Sequence, residues 1–398
     1  MTTPGVLFIT YTGLLEPLGQ SQVLAYQEHV SPERSVHIVS FERREDLADE
    51  QRVVRLRERI QRSGICWHPQ VYHKRPSALA TLLDIAVGTL RGISLVRRHR
   101  LGIVHARSYV ASAMALSITR ATRSKFLFDM RGFWADERVD GGIWPEGGRM
   151  YRVAKWFERR FLLSADHVVS LTRAGIAEIH RFEYLQGRAP PMTVIPTCAD
   201  LSRFKPSPVA RDVGFTLGYV GSVGTWYLFD AAVAAFEALR RQRPGARFLI
   251  INRDAHRYIR ERLAAAGVPE DCVELRNAEH ADVPAQIQRM NAGVFFIRPL
   301  FSKQASAPTK LAEFLGCGVP CLSNTGVGDM ASVLAGDRVG VAVDATNPSC
   351  ISAGVQELLA LCEEPDVASR CVASAHRHFS LEEGVRRYRE IYAGLSRG

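Results

Sequence analysis

Short apolar runs alternate with segments of helical period along the whole chain. In the first half the pattern predicts strands at Val6–Tyr11, Ser35–Phe41, Ile65–Val71, Gly102–His105, Lys125–Met130, His167–Leu171 and Met192–Pro196. Long helices separate them, Glu45–Ser63 and Met150–Leu163 among them. The stretch Phe204–Asp212, with Pro206 and Pro208, reads as a linker. The pattern then restarts, with strands predicted at Phe215–Val220, Arg247–Asn252, Val273–Arg276, Gly293–Ile297, Val319–Leu322 and Gly340–Val343. Apolar runs alternating with helices argue for parallel sheets covered by helices. A second set after a proline-rich joint argues for two sheets. The expected fold is therefore α/β, two doubly wound Rossmann-like domains facing across a cleft, over residues 1–205 and 206–380. The last segment, 381–398, is an amphipathic helix with Val385, Tyr388, Ile391, Tyr392 and Leu395 on one side, expected to pack back toward the first domain. In doubly wound sheets ligands sit beyond the carboxyl ends of the strands.

The stretch Ala292–Asn324, AGVFFIRPLFSKQASAPTKLAEFLGCGVPCLSN, carries the strongest chemical signal. An apolar run gives way to basic and small residues, Pro308 opens a helix, and Gly316 and Gly318 close it. Arg298, Lys303, Ser306, Thr309 and Lys310 lie on the loop and the helix N-terminus. Free backbone N–H groups, a positive helix end and three cations suit a phosphate-bearing ligand. One turn on, Glu313 is placed to accept hydrogen bonds from a vicinal diol such as a ribose. The competing reading is a helix-surface Lys310–Glu313 pair, worth a few tenths of a kcal/mol.

Composition narrows the class. The 398 residues, 46% hydrophobic and 23% charged, are globular values. The net charge of +10 is confined to the first half: residues 1–205 hold 30 Lys+Arg against 20 Asp+Glu, and the remainder 21 against 21. Such a half attracts anionic lipid or a phosphorylated substrate. Nucleic acid is disfavoured, because no motif with stacking aromatics accompanies the charge. No secretory pattern precedes the first strand, and no uncharged apolar run reaches spanning length. The nearest, Ala78–Val96, is broken by Asp84 and Arg91. A cytoplasmic protein is expected, with a peripheral position on an inner membrane face as an extension of its charge. The eight cysteines are scattered, and Cys317 and Cys321 read as small buried residues. No metal-ligand cluster, Walker loop or serine-hydrolase elbow is present, so no metal or cofactor is expected.

Other candidates stand at predicted strand ends. Gly13 and Gly19 bracket a loop before Gln20, where backbone can approach a phosphate or a sugar; a simple tight turn fits equally. His105, Arg107 and Ser108 follow the fourth strand, and Asp129 and Arg131 the fifth. Trp134, Glu137 and Trp144 lie in the next loop. Acid, arginine and indole suit sugar binding; the alternative is an ion pair pinning a loop with His105 in the core. Gly218, Gly221 and Gly224 form a glycine turn able to offer N–H groups to a diphosphate.

With GLLEPLGQSQV, HARSY, FDMRGFWADE, IPTCADLSRF, GYVGSVGTWY and IRPLFSKQASAPTKLAEFLGCGVPC in order, the chain resembles the retaining glycosyltransferases of the GT-B fold, family four, in a subgroup that makes bacterial surface polysaccharide or exopolysaccharide. The resemblance implies an N-terminal acceptor domain and a C-terminal domain for a UDP- or GDP-linked sugar donor. Glu313 would hold the donor ribose, Ser306 to Lys310 its diphosphate, with Arg298 or Lys303 neutralising charge and Gly19, Gln20 and Gly221 approaching the phosphates. Asp129, Arg131 and His105 would stand nearest the reaction. Arg107, Trp134 and Glu137 would meet a glycan or lipid-linked acceptor. Metal-independent transfer with retention is expected. The family's first motif glutamate falls on Ala305, and a histidine common in relatives falls on Asp129. The arginine–lysine pair usual after the second domain's first strand is missing from Gly221–Asp230. The alternatives are a sugar-nucleotide epimerase of the same fold and a catalytically silent nucleotide-binding scaffold.

Overall fold

The computed structural model describes residues 4–73, 75, 77–207, 214–279 and 281–397. The chain divides into two compact units, Met1–Pro196 with Leu381–Gly398, and Thr197–Ser380.

The first unit is built on seven strands: β1 (Gly5–Thr10), β2 (Val36–Glu42), β3 (Ile65–Val71), β4 (Leu101–Arg107), β5 (Lys125–Asp129), β6 (His167–Ser170) and β7 (Met192–Val194). Their order is β3-β2-β1-β4-β5-β6-β7, with every neighbouring pair parallel. β1 and β2 are buried along their whole length, as a sheet covered on both faces requires. The strand order turns back between β1 and β4, where Phe8 pairs with His105 and Thr10 with Arg107. Arg107 in turn pairs with Asp129. The turning point therefore delivers Arg107 and Asp129 side by side at the carboxyl edge.

The second unit holds β8 (Thr216–Val220), β9 (Arg247–Ile251), β10 (Val273–Arg276), β11 (Ala292–Val294), β12 (Cys321–Asn324) and β13 (Gly340–Val343) in the order β10-β9-β8-β11-β12-β13. Its turning point lies between β8 and β11. Phe236 stacks on Phe248 at 4.7 Å in the core, and Gly293 lies under the ring of Phe314. Two doubly wound parallel sheets of this kind are the expected α/β class and fit the GT-B fold.

Some expected boundaries move, each for a local reason. The helix predicted over Glu45–Ser63 is two, Arg44–Leu47 and Glu50–Arg62, because the Asp49 carboxylate caps the second by accepting from the Arg52 N–H. β11 ends at Val294. Beyond it the amide of Asn324 takes over, its Oδ1 accepting from Ile297 N–H and its Nδ2 donating to Ile297 O, both at 2.8 Å. The chain joins its second unit at Thr197, ahead of the expected joint. Leu201 and Phe204 are buried against Gly316 of that unit, and residues 208–212 of the expected linker lie outside the described residues. The C-terminal helix, Leu381–Arg397, belongs to the first unit, where Arg387 donates to the Val194 carbonyl at 2.6 Å. Cys317 and Cys321 are buried free thiols.

Among the described residues one helix, Ser77–His99, is long and apolar enough to cross a membrane by length and composition. The charge at Asp84 does not break it. That carboxylate is buried, accepting from Tyr11 Oη at 2.7 Å and facing His73 Nδ1 at 2.6 Å.

Candidate functional site

In the second unit the loop after β8 and the chain leaving β11 are stitched together. Leu228 N–H donates to Phe296 O, and Arg298 N–H to Trp226 O, each at 2.9 Å. Gly221 and Gly224 have positive φ, 105° and 82°, which lets the first loop fold flat over the second. Beneath it begins the helix Thr309–Gly316, with Pro308 at its N-cap and no side-chain cap. Leu311 N–H turns back to the Pro308 carbonyl at 3.2 Å, and no side chain caps the N–H groups of Thr309 and Lys310.

Lys310 rises from that turn into a chamber of rings. Its Nζ lies 3.8 Å from the Tyr227 ring centre and 5.2 Å from that of Tyr219. A Cβ added to Gly221 would stand 3.1 Å from the same Nζ. The ammonium is buried and has no hydrogen-bond partner. Burial draws its pKa down to about 7, against an opposing pull from Glu313. Glu313, half-buried one turn on, is pushed up to about 7 by burial, with Lys310 and Arg203 opposing. Aromatic faces partly compensate a cation but supply no lone pair. The pocket thus presents an incomplete cation and a carboxyl group poised to accept.

The structure brings Gly221 and Lys310 together, with Glu313 one turn on; Ser306 and Thr309 are half-exposed and Arg298 is exposed. Lys303 is buried with its Nζ 3.8 Å from the Trp226 ring centre. Trp226 and Tyr227 went unnoticed in the sequence. Their signal was the aromatic pair directly after the glycine turn. Among the described residues no group of three or more His, Cys, Asp or Glu stands ready for a metal ion.

The first unit holds a cavity of about 960 Å³ at its own turning point, lined by Tyr11, Arg107, Arg131, Trp134, Arg138 and Trp144 among others. Arg107 is buried and its Nε lacks a hydrogen-bond partner. Burial first, then the nearby Arg131 charge, draw Arg107 down to about 10. Trp134 meets Trp144 edge-on at 5.1 Å, and Arg138 covers Trp134 at 5.3 Å. Glu137 is half-buried and outside this lining, so it does not join the expected acceptor group.

His105 and Asp129 take places other than those expected. His105 is fully buried, its Nδ1 2.6 Å from Tyr392 Oη, and its Nε2 is 3.7 Å from Asp129 Oδ2. Tyr388 Oη donates to the same Asp129 oxygen at 3.1 Å. Two tyrosines of the C-terminal helix seal both groups from solvent. Burial holds the imidazole below its usual pKa, so it is neutral. Burial alone would raise the Asp129 carboxyl, but Arg131, His105 and Arg107 together hold it below the usual range. The pair is a buried charge-setting core under the arginines.

The Gly13–Gly19 loop is also spoken for. Glu42, buried at the end of β2, accepts from the N–H groups of Leu14 and Leu15 at 2.8 and 3.1 Å. A Cβ on Gly19 would stand 2.0 Å from the Gly13 carbonyl oxygen, and Gln20 N–H donates to Glu16 O. Close packing, not an exposed nest of N–H groups, accounts for the glycines.

Two family profiles match the chain, one described as a glycosyl transferase 4-like domain over residues 25–198 and one as glycosyl transferases group 1 over residues 214–361. No curated protein matches by sequence. Among solved structures, a glycosyltransferase from Rickettsia africae superposes with a TM-score of 0.72 at 12% identity, over 99% of each chain. A sucrose-phosphate synthase from Thermosynechococcus elongatus gives 0.73 at 13% identity, over 98% of this chain and 99% of that one. Anabaena HepE in complex with UDP-glucose gives 0.65 at 13% identity, over 98% and 100%. At such identities these likenesses carry the fold.

Proposed function

From the premise that the chain is a two-domain glycosyltransferase of the GT-B fold, we propose that it moves a sugar, with retention, from a UDP- or GDP-linked donor to a lipid-linked or polysaccharide acceptor in bacterial surface or exopolysaccharide synthesis. The observation that carries the reading is the buried, unpartnered ammonium of Lys310 between Gly221 and Tyr227. A donor diphosphate completes it, and the uncapped turn at Thr309 supplies N–H groups to the same phosphates. Glu313 accepts from the ribose hydroxyls. Arg298 adds charge at the mouth. In the transfer, the bond between the sugar C1 and the diphosphate oxygen breaks and one to the acceptor oxygen forms. The acceptor proton passes to the departing diphosphate. Cations fixed in a partly dry pocket favour the charge that grows on that leaving group without reorganising.

The acceptor occupies the cavity of the first unit, where Arg107, Arg131 and the two indoles offer charge and flat surface. The basic first half holds the enzyme at the cytoplasmic face of an anionic membrane. A relative that binds UDP-glucose, Anabaena HepE, lends support to a nucleotide-sugar donor. Thermal-shift screening against UDP- and GDP-sugars, followed by turnover on each hit, tests the reading. A donor that protects the parent but not Lys310→Ala, and is consumed in an acceptor-dependent way, supports it. Conversion of the donor with no acceptor present would point to an epimerase.

A further inference from the structure

Three separate pieces of chain set aromatic rings around Lys310. Tyr219 lies on β8, Tyr227 on the loop after it, and Phe295 just past β11, with ring centres 5.2, 3.8 and 5.6 Å from Nζ. Gly221 faces the same nitrogen and brings no side chain to it. Within this chamber Nζ is buried and finds no hydrogen-bond partner, the Glu313 carboxyl included. Ring faces attract a cation but do not replace the water it has lost. A buried ammonium in that condition sheds its proton more readily than it bears the loss of hydration. The low value of Lys310, about 7, agrees with its surroundings.

The neighbouring titratable groups leave any proton exchange to Lys310 and Glu313. Burial raises the Tyr219 and Tyr227 phenols above their ordinary range. It also pushes the Cys317 thiol, which faces Glu313, up to about 12. Arg203, whose charge acts on Glu313, is a permanent cation. Glu313 itself is raised by burial, with Lys310 and Arg203 opposing.

We propose that the donor site exchanges protons as it fills: Lys310, partly a neutral amine when the site is empty, is fixed as an ammonium by the arriving diphosphate, and Glu313 gives up its proton to accept from the ribose hydroxyls. A solvent proton forms the new N–H bond on Lys310, and the proton from the Glu313 O–H bond goes to solvent. Uptake dominates above neutrality, release below it, and the two cancel between. Affinity for the donor is therefore greatest near neutrality, its loss approaching about tenfold per pH unit on either side. The inference rests on the reading that sets a donor diphosphate against Lys310, and adds that the site is regulated by pH.

Two measurements on the full chain test it. The sequence holds six lysines, so carbon-13 resonances of their Cε atoms can be assigned with Lys310→Arg as reference. Without ligand the Lys310 resonance should titrate near neutrality; with saturating inorganic diphosphate it should keep its ammonium position up to pH 9. Isothermal titration with UDP-glucose and GDP-glucose, in pairs of buffers of unlike ionisation enthalpy, should show about one proton taken up at pH 8 and a release at pH 6. Glu313→Gln should abolish the release and keep the uptake. A Lys310 resonance that stays ammonium through pH 9 without ligand, or that inorganic diphosphate leaves unmoved, overturns the proposal. So does binding of either nucleotide sugar with no proton exchanged at pH 6 or pH 8, which would leave the glycosyl-transfer reading standing. If diphosphate fixes the ammonium and neither nucleotide sugar binds, that reading fails alone.

Discussion

Lys310 Nζ sits 3.8 Å from the centre of the Tyr227 ring, a cation held by an aromatic face in place of a hydrogen-bond acceptor. An arriving phosphate would supply what the ring lacks. Lys310→Ala and Glu313→Ala are each expected to weaken nucleotide-sugar binding by ~1.5–3 kcal/mol, roughly tenfold to hundredfold, in isothermal titration. Circular dichroism should show the fold intact. Parent-like affinity in both would move the donor site elsewhere.

The same two residues predict an unusual pH profile for the ligand-free protein. With Lys310 drawn down from 10.5 to about 7, the unfolded chain carries an extra proton between those values, so its contribution to stability rises with pH there. With Glu313 pushed up from 4.5 to about 7, the folded chain carries the extra proton, so its contribution falls from pH 4.5 to 7. Their sum has a minimum near neutrality. Urea midpoints against pH should show Lys310→Met losing the rise above neutrality and Glu313→Gln the fall below it. Parallel curves for parent and variants would mean that neither group is perturbed.

Asp129 is expected to matter first for folding. Asp129→Asn removes the buried negative charge that faces Arg131, His105 and Arg107, with an expected loss of ~1–3 kcal/mol, as for a buried polar group deprived of its partner. Tyr392→Phe, which strips the hydroxyl from His105 Nδ1, should cost ~1–3 kcal/mol. Both are read by chemical denaturation. An Asp129→Asn protein that melts like the parent and fails only in turnover would return the carboxylate to the chemistry.

Glu42 is expected to hold the Gly13–Gly19 loop. Glu42→Ala frees the N–H groups of Leu14 and Leu15 and should speed their hydrogen exchange by at least about tenfold, given ~1–3 kcal/mol for each unmet buried group. Exchange unchanged at both amides would show the loop to be held by its glycine packing alone.

The parts of this molecule that depend on near neighbours were readable from the chain itself. The helix begun by Pro308 and closed at Gly316 follows from local signals, and the structure has it at Thr309–Gly316. The Lys310 and Glu313 spacing needed only that helix. The sequence left His105 open between the site and the core, because its partner, Tyr392, lies 287 positions away, and no period or cap connects them. The joint near Pro206 was misplaced for a similar reason. Leu201 and Phe204 look like linker residues until Gly316 receives them. The Gly13–Gly19 loop resembled a phosphate cradle because the acceptor that occupies its N–H groups, Glu42, comes from the next strand.

Gly293 makes no contact with any ligand proposed above, yet the helix that bears Lys310 and Glu313 rests on it through the Phe314 ring. A Cβ there would stand 2.8 Å from two atoms of the Phe314 ring, inside the van der Waals limit. Alanine at 293 would therefore displace the Phe314 ring, and any part of that shift taken up by the helix would move Lys310 relative to Gly221. A methyl group on the sheet would detune recognition from beneath, much as a shim under a lathe bed spoils every cut made above it.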